Sequence, residues 1–215
     1  MRAPKIVASS EQAVEARPPP PRERITAHKW LGEKARTAYS DHEDGTFPLY
    51  VSKLAEEKMR NHAIGRVADR LEVMGLMLGQ VFDHEGQKYG MVRDVATTDL
   101  EASSVRVRFR RDGFERLFTS LEDQGYGYIV LGWYHSHPGH GVFMSPTDVE
   151  TQRSMFTAPY HSAIVIDPVN KEIGAFRLRR VDVDPLPFAV YWDEHQSPYY
   201  GTSVRRRVVD QTQMA

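Results

Sequence analysis

From Phe47 to Leu178 short apolar runs alternate with polar turns. A continuous apolar run of about four to eight residues is too short for a helix and suits a strand buried on both faces. Runs 73–78, 129–134 and 162–166 are of this kind, the last ended by Asp167-Pro168. Residues 89–95 pair back on 73–78 across the polar turn Asp83-His84-Glu85-Gly86, and 173–178 return antiparallel to 162–166 after Asn170-Lys171. The stretch 105–110 alternates strictly instead, with Arg106, Arg108 and Arg110 on one face and Val105, Val107 and Phe109 on the other. A solvated sheet face explains those arginines more simply than a phosphate site.

Three helix starts interrupt the strands. Ser52 caps a helix whose Ala55, Met59, Ala63 and Val67 form an apolar stripe four residues apart, with His62 beside it as a helix-face residue. Asp112, with Glu115 at the third helical position, opens another; Phe114, Leu117, Phe118 and Leu121 give its buried side as far as Gly125. Ser145 at the cap, Pro146 at the first position and Asp148 at the third mark a further helix running through Phe156. The fold class is α/β: a mixed, mainly antiparallel sheet flanked by helices, with extensions at both ends.

The flanks read differently. Residues 1–46 form a Pro-rich, flexible N-terminal extension, in which Arg17-Pro18-Pro19-Pro20-Pro21-Arg22 is an extended polyproline spacer. Ile25, Trp30, Leu31 and Tyr39 follow no clean period, which leaves open whether they pack on the domain or on a partner. Residues 181–215 form a C-terminal extension, partly irregular, with an aromatic, Pro-interrupted stretch at 191–200 and a solvated basic run at 205–207.

Composition narrows the class further. A chain of 215 residues with 40% hydrophobic content suits one sizeable domain plus appendages, and a net charge of −1 argues against nucleic acid as the main partner. The absence of cysteine fits a reducing interior and restricts any zinc site to nitrogen and oxygen ligands. No apolar run approaches the roughly 20 residues that span a bilayer, and no long apolar segment marks a signal peptide. The expected location is cytoplasmic, with no membrane partner.

The candidate chemistry is concentrated in residues 132–148, which carry His135, His137, Ser145 and Asp148. If the strand 129–134 continues through His137, the two imidazoles stand at i and i+2 and point the same way. The helix start at Ser145 brings the Asp148 carboxylate back to the strand end. Two neutral imidazoles and a carboxylate suit Zn²⁺, and three protein ligands leave the fourth tetrahedral position for water. Each part alone is ordinary: a His-x-His pair on a strand is more often structural, and Ser-Pro-Thr-Asp is most simply a helix cap. Their conjunction and spacing carry the reading.

The arrangement H-x-H-x7-S-x2-D resembles the JAMM (MPN+) zinc metalloproteases, and Leu71-Glu72-Val73-Met74-Gly75-Leu76-Met77-Leu78-Gly79 is similar to the family's Glu-bearing strand. The resemblance covers about residues 47–180, and within it residues 130–139 and 145–152 are similar to the proteasome-lid and COP9 signalosome members. It implies an MPN fold and a zinc-dependent isopeptidase that cleaves after the C-terminal Gly of ubiquitin or a ubiquitin-like protein, with precursor processing as a related activity. One Zn²⁺ would be held by His135, His137 and Asp148, Glu72 would act as general base and acid, and Ser145 would stabilise the oxyanion. Polar residues 97–104 sit where family members carry an insertion beside the active site, which makes Asp99 and Glu101 candidate substrate contacts. Ubiquitin-like conjugates and a proteasome-like or other regulatory complex are the implied partners. His140 and Phe143 depart from the family pattern outside the ligand set. The alternatives are a small-amide or sulfur-carrier hydrolase of the same fold, and a partner-dependent MPN scaffold.

Overall fold

A computed structural model gives the fold and describes residues 14–42, 44–97, 100–103, 106–109, 128–180 and 182–192. Its centre is a long hairpin, β4 (Met74–His84) and β5 (Gln87–Ala96). Glu85 and Gly86 close it in left-handed conformation, φ 53° and 80°, and the Gly86 amide donates to Asp83 Oδ1 at 2.9 Å. β8 (Ile129–Ser136) lies antiparallel against the free side of β4. β9 (Ser162–Asp167) runs parallel to β8, and β10 (Glu172–Arg179) returns antiparallel to β9. A parallel neighbour needs a crossover, and α3 (Pro146–Met155) lies on that crossover.

The sheet continues on the β5 side through β3 (Leu49–Ser52), β12 (Phe188–Tyr191) and β2 (Ile25–Thr26), and at the opposite edge through β11 (Asp182–Leu186). The sequence pattern shows no sign of β3, whose four residues run straight into the helix cap at Ser52. Among the described residues this sheet has ten strands, including the short β1 (Glu15–Ala16), which pairs parallel with β4. The mixed, mainly antiparallel α/β architecture expected from the sequence is thus present.

The two faces of the sheet carry separate cores. α2 (Lys53–Gly65) begins where Ser52 Oγ accepts from the Ala55 amide at 3.1 Å, and its Ala55, Met59 and Ala63 are buried with Met77, Leu131, Ile164 and Ile166. The opposite face packs Met74, Leu76, Trp133 and Ala163 against Phe156, the residue that ends α3. Residues 133 and 134 show the division: Trp133 belongs to the α3 side and Tyr134 to the α2 side. His62 is on the α2 side, its Nδ1 2.8 Å from the Tyr134 hydroxyl, as suits a helix-face residue.

The N-terminal extension, expected to be flexible, is packed over its described residues. Tyr89 donates to the carbonyls of Arg17 and Pro18, both at 3.1 Å, and β2 pairs with β12. Leu31 bridges to Ile173 and enters the core, and α1 (Glu33–Ser40) follows it. The physical reason is an aromatic cluster of Phe47, Tyr50, Phe82, Tyr89 and Tyr191, against which Ile25 and Tyr39 pack. Trp30 and Leu31 join the α2-side core instead, so the apolar residues of the extension divide between two clusters and follow no helical or strand period.

At the other end the sheet runs past residue 180, because β11 and β12 are ordinary members of it. Residues 97–104, expected as a polar insertion, include β6 (Leu100–Ser103), which forms a separate two-stranded sheet with β7 (Arg106–Phe109). The helix expected from Asp112 to Gly125 and the basic run 205–207 lie outside the described residues. Among the described residues no helix is long and apolar enough to cross a membrane.

Candidate active site

Strand register assembles the site. Leu76 pairs with Trp133 and Met74 with His135. The ladder extends one step further, since Ser136 N donates to Val73 O at 2.9 Å and Val73 N donates to Ser136 Oγ at 3.0 Å. Glu72 therefore stands opposite His137. Opposed residues of an antiparallel pair share a face, so Glu72, His135 and His137 point to the side that α3 covers.

The start of α3 completes the corner. The Asp148 amide donates to Ser145 Oγ at 3.2 Å while Asp148 Oδ2 accepts from the Ser145 amide at 2.7 Å, a reciprocal capping box with Pro146 just inside the helix. The same Oδ2 is 3.4 Å from His135 Nε2 and 3.4 Å from His137 Nε2. That is long for a hydrogen bond. It equals the spacing of two donors on one tetrahedral zinc ion, about 3.4 Å for bonds of about 2.0–2.1 Å.

Among the described residues, His135 Nδ1 and Nε2 and His137 Nδ1 are buried without a hydrogen-bond partner. Buried polar atoms are rarely left so, because the loss of water is not offset. Three donor atoms within 4.8 Å of one another, one per residue, fit a divalent cation. Nitrogen and carboxylate donors in this number match zinc.

The supporting residues are equally specific. Trp133 stacks on His135 with ring centroids 4.3 Å apart and planes at 14°, and its indole N–H donates to Gln152 Oε1 at 2.7 Å. Gln152 is fully buried on α3 and donates in turn to the Phe156 carbonyl at 3.1 Å. One helix thus supplies Asp148 and locks the aromatic wall behind His135. Phe143 lies 4.8 Å from the His137 ring and is 45% exposed at the rim.

Electrostatics follow from burial and charge. Burial alone would raise the Asp148 pKa, but His135, His137 and Ser145 outweigh it and hold the carboxyl well below the usual range. Burial pushes His135 down, towards the neutral imidazole that can bind a metal. His137 is raised because Asp148 and Glu72 overcome its burial. Burial raises Glu72, and the Asp148 charge adds to it against the pull of His137 and His140.

The structure therefore brings together five residues singled out in the sequence: Glu72, His135, His137, Ser145 and Asp148. Asp99 and the side chain of Glu101 lie outside the described residues. Sequence reasoning missed Trp133, Gln152 and Asp167 as supports. Asp167 accepts from the amides of Gly139 and Gly141 across the loop beside His137. The Gly139-His140-Gly141 spacing was its one visible trace.

Comparison with known proteins agrees with this geometry. Residues 48–158 match the JAB1/Mov34/MPN/PAD-1 ubiquitin protease family. The 26S proteasome regulatory subunit RPN11 of Candida glabrata is 36% identical over 155 residues, covering 69% of this chain and 49% of that protein. COP9 signalosome complex subunit 5 of Yarrowia lipolytica is 32% identical over 191 residues, covering 81% of this chain and 52% of that protein. Ubiquitin carboxyl-terminal hydrolase RPN11 of Saccharomyces cerevisiae is 35% identical over 155 residues, covering 69% and 49% respectively. The chain spans about half the length of these relatives. The solution structure of a protein from Desulfitobacterium hafniense shares the fold with a TM-score of 0.51 at 23% identity, covering 69% of this chain and 99% of that one. Matched over more than half its length, this chain belongs to the JAB1/Mov34/MPN/PAD-1 family.

Proposed function

We propose that the protein is a zinc-dependent isopeptidase that cleaves after the C-terminal Gly of ubiquitin or a ubiquitin-like protein. The observation that carries this reading is the pair of 3.4 Å separations from Asp148 Oδ2 to two buried imidazoles, with Glu72 opposite one of them in the ladder. His135, His137 and Asp148 would hold the metal. Bound there, zinc would supply Lewis acidity and make a water at the site acidic enough to give up its proton near neutral pH.

The chain's own groups do the rest. Glu72, its pKa raised by burial, accepts the proton of the attacking water and delivers it to the departing lysine amine, a poor leaving group until protonated. Ser145 Oγ accepts the Asp148 amide with a lone pair, which leaves its hydroxyl proton for the oxyanion. Trp133 keeps the His135 ring in plane and excludes water from behind it.

The relatives named as ubiquitin hydrolase and as subunits of the proteasome and COP9 signalosome support conjugates of this class as substrates. A regulatory complex of the same kind is the proposed partner, in the cytoplasm. Asp99 and Glu101 remain proposed contacts for the substrate tail.

The test is cleavage of a ubiquitin-like protein bearing a C-terminal fused peptide or an isopeptide-linked lysine. We expect cleavage after the terminal glycine by protein holding one zinc, lost on chelation and in Glu72→Gln. Intact substrate after incubation with folded, zinc-loaded protein would overturn the reading in favour of a scaffold or a small-amide hydrolase.

A further inference from the structure

Residues 138–144 join His137 to Ser145, and a single carboxylate from another strand grips their middle. Asp167, the last residue of β9, exposes no surface. Its Oδ1 accepts from the amides of Gly139 at 2.9 Å, Val169 at 2.9 Å and Asn170 at 3.0 Å. Its Oδ2 accepts from the Gly141 amide at 2.7 Å and from Asn170 Nδ2 at 2.8 Å. The bonds from Val169 and Asn170 belong to the β9–β10 turn and need no further explanation. Those from Gly139 and Gly141 do not: they cross from a different loop, one to each oxygen.

The loop is bent to make them. Gly139 and Gly141 both adopt left-handed backbone, φ 82° and 83°, and His140 N donates back to His137 O at 3.1 Å. Residues with a side chain rarely take such angles, so two of them a residue apart mark a path that serves the contact. The anchor is stiff as well. Ile166, next to Asp167, accepts from the His137 amide at 2.9 Å and pairs with Ser136 in the parallel ladder.

We propose that Asp167 is a positioning residue for the candidate site: by gripping Gly139 and Gly141 it sets the path of residues 138–144, and with it the placement of His137 at one end and of Phe143 and Ser145 at the other. Its effect on catalysis rests on the isopeptidase reading, whereas its effect on the loop does not. A displacement of about 1 Å at a reacting group is enough to cost about 100-fold in rate. Only a carboxylate serves, because both oxygens must accept. The isosteric amide of Asn would turn an N–H₂ group towards the N–H donors on one side.

The experiment compares zinc-loaded wild type with Asp167→Asn, Gly141→Ala and Asn170→Ala, at a temperature where circular dichroism shows each folded. Four quantities are read: kcat, KM, zinc retention against a competing chelator, and hydrogen exchange of the Gly139 and Gly141 amides. In Asp167→Asn we expect those amides to exchange faster, zinc to leave sooner and kcat to fall about 100-fold with KM little changed. Gly141→Ala has room for its methyl, the nearest atom being Glu172 Oε2 at 3.8 Å, but strains the loop at φ 83°. It should lower kcat similarly, and it carries the test if Asp167→Asn does not fold.

Asn170→Ala loosens the turn and leaves both glycine amides in place, so kcat should stay close to wild type. Retained kcat in folded Asp167→Asn and Gly141→Ala, or a fall in Asn170→Ala as large as in Asp167→Asn, would overturn the proposal. If wild type cleaves nothing, the amide exchange still decides. Faster exchange in Asp167→Asn upholds the grip while the substrate reading fails, and unchanged exchange overturns the grip.

Discussion

Two buried clusters in this molecule are built from the same chemistry, a carboxylate with imidazole, and differ in completeness. Around Glu56 on α2, Oε1 accepts from His28 Nε2 at 2.8 Å and from Arg60 Nε at 2.7 Å, and Oε2 from Lys53. His28 Nδ1 in turn accepts from the Trp30 amide at 3.0 Å, so both ring nitrogens are occupied. Around Asp148, two imidazoles stand at 3.4 Å, and three of their nitrogens have no hydrogen-bond partner among the described residues. The first cluster is closed and ties the N-terminal segment to α2. The second is open, shaped for something that is not a side chain. The convergence of two imidazoles on one carboxylate oxygen at metal-ligand spacing, rather than the presence of histidine and acid, separates the candidate site from the closed cluster.

The contrast can be broken at several strengths. Glu72→Gln should lower cleavage most, by about 10²- to 10⁴-fold, as removal of a general acid–base does, with zinc content and melting temperature unchanged. A matching loss of zinc would show that Glu72 acts on the metal site rather than on the proton. Glu56→Ala should leave any folded enzyme active and cost about 3–5 kcal/mol in urea unfolding, because His28, Lys53 and Arg60 lose the charge they surround. Equal stability would mean that the closed cluster contributes nothing net.

Two caps give a narrower comparison. Ser145→Ala should lower kcat by about 10²- to 10³-fold through loss of an oxyanion donor. Ser52 Oγ likewise accepts from the third amide of α2, away from the site, and also donates to the Arg93 carbonyl at 2.9 Å, so Ser52→Ala should cost about 1–3 kcal/mol of stability with kcat intact. Equal kinetic effects at both positions would reduce Ser145 to a cap.

The smallest test is pH. The Glu56 pKa is lowered from 4.5 to about 2; burial opposes this, and the bonds from His28, Lys53 and Arg60 prevail. A depressed folded-state pKa stabilises above the unfolded value and ceases to do so as pH falls through the folded one. Melting temperature should therefore drop between about pH 4.5 and pH 2 in wild type, and less steeply in Glu56→Gln.

Much of the site was legible because its information is local. The i, i+2 spacing of His135 and His137, the Ser145 cap and the acid at Asp148 each follow from one strand or one helix turn. Glu72 needed a register between strands about sixty residues apart, which the family resemblance supplied and the Val73–Ser136 bonds explain. Gln152 and Asp167 could not be read as supports, because a buried glutamine on a polar helix and an Asp-Pro strand end look ordinary until their partners are known. The fold failed to show itself at its rim for a related reason. His28 and Leu31 are held by isolated contacts to distant elements, Glu56 on α2 and Ile173 on β10, which leave no period, and the four residues of β12 are too few to show one although they pair on both sides.

The place of β12 has a consequence for how the chain is made. It lies between β3 and β2, with Val190 opposite Val51 on one side and Thr26 on the other. A growing chain releases both neighbours from the ribosome long before it releases the strand that joins them. Until then β3 waits with one side bare, and pairings so distant in sequence are slow to form. A nascent chain stalled near residue 180 would already contain His135, His137 and Asp148, yet would present an open strand edge to every other unfinished copy. Emergence of β12, more than assembly of the candidate site, is the step that closes this edge.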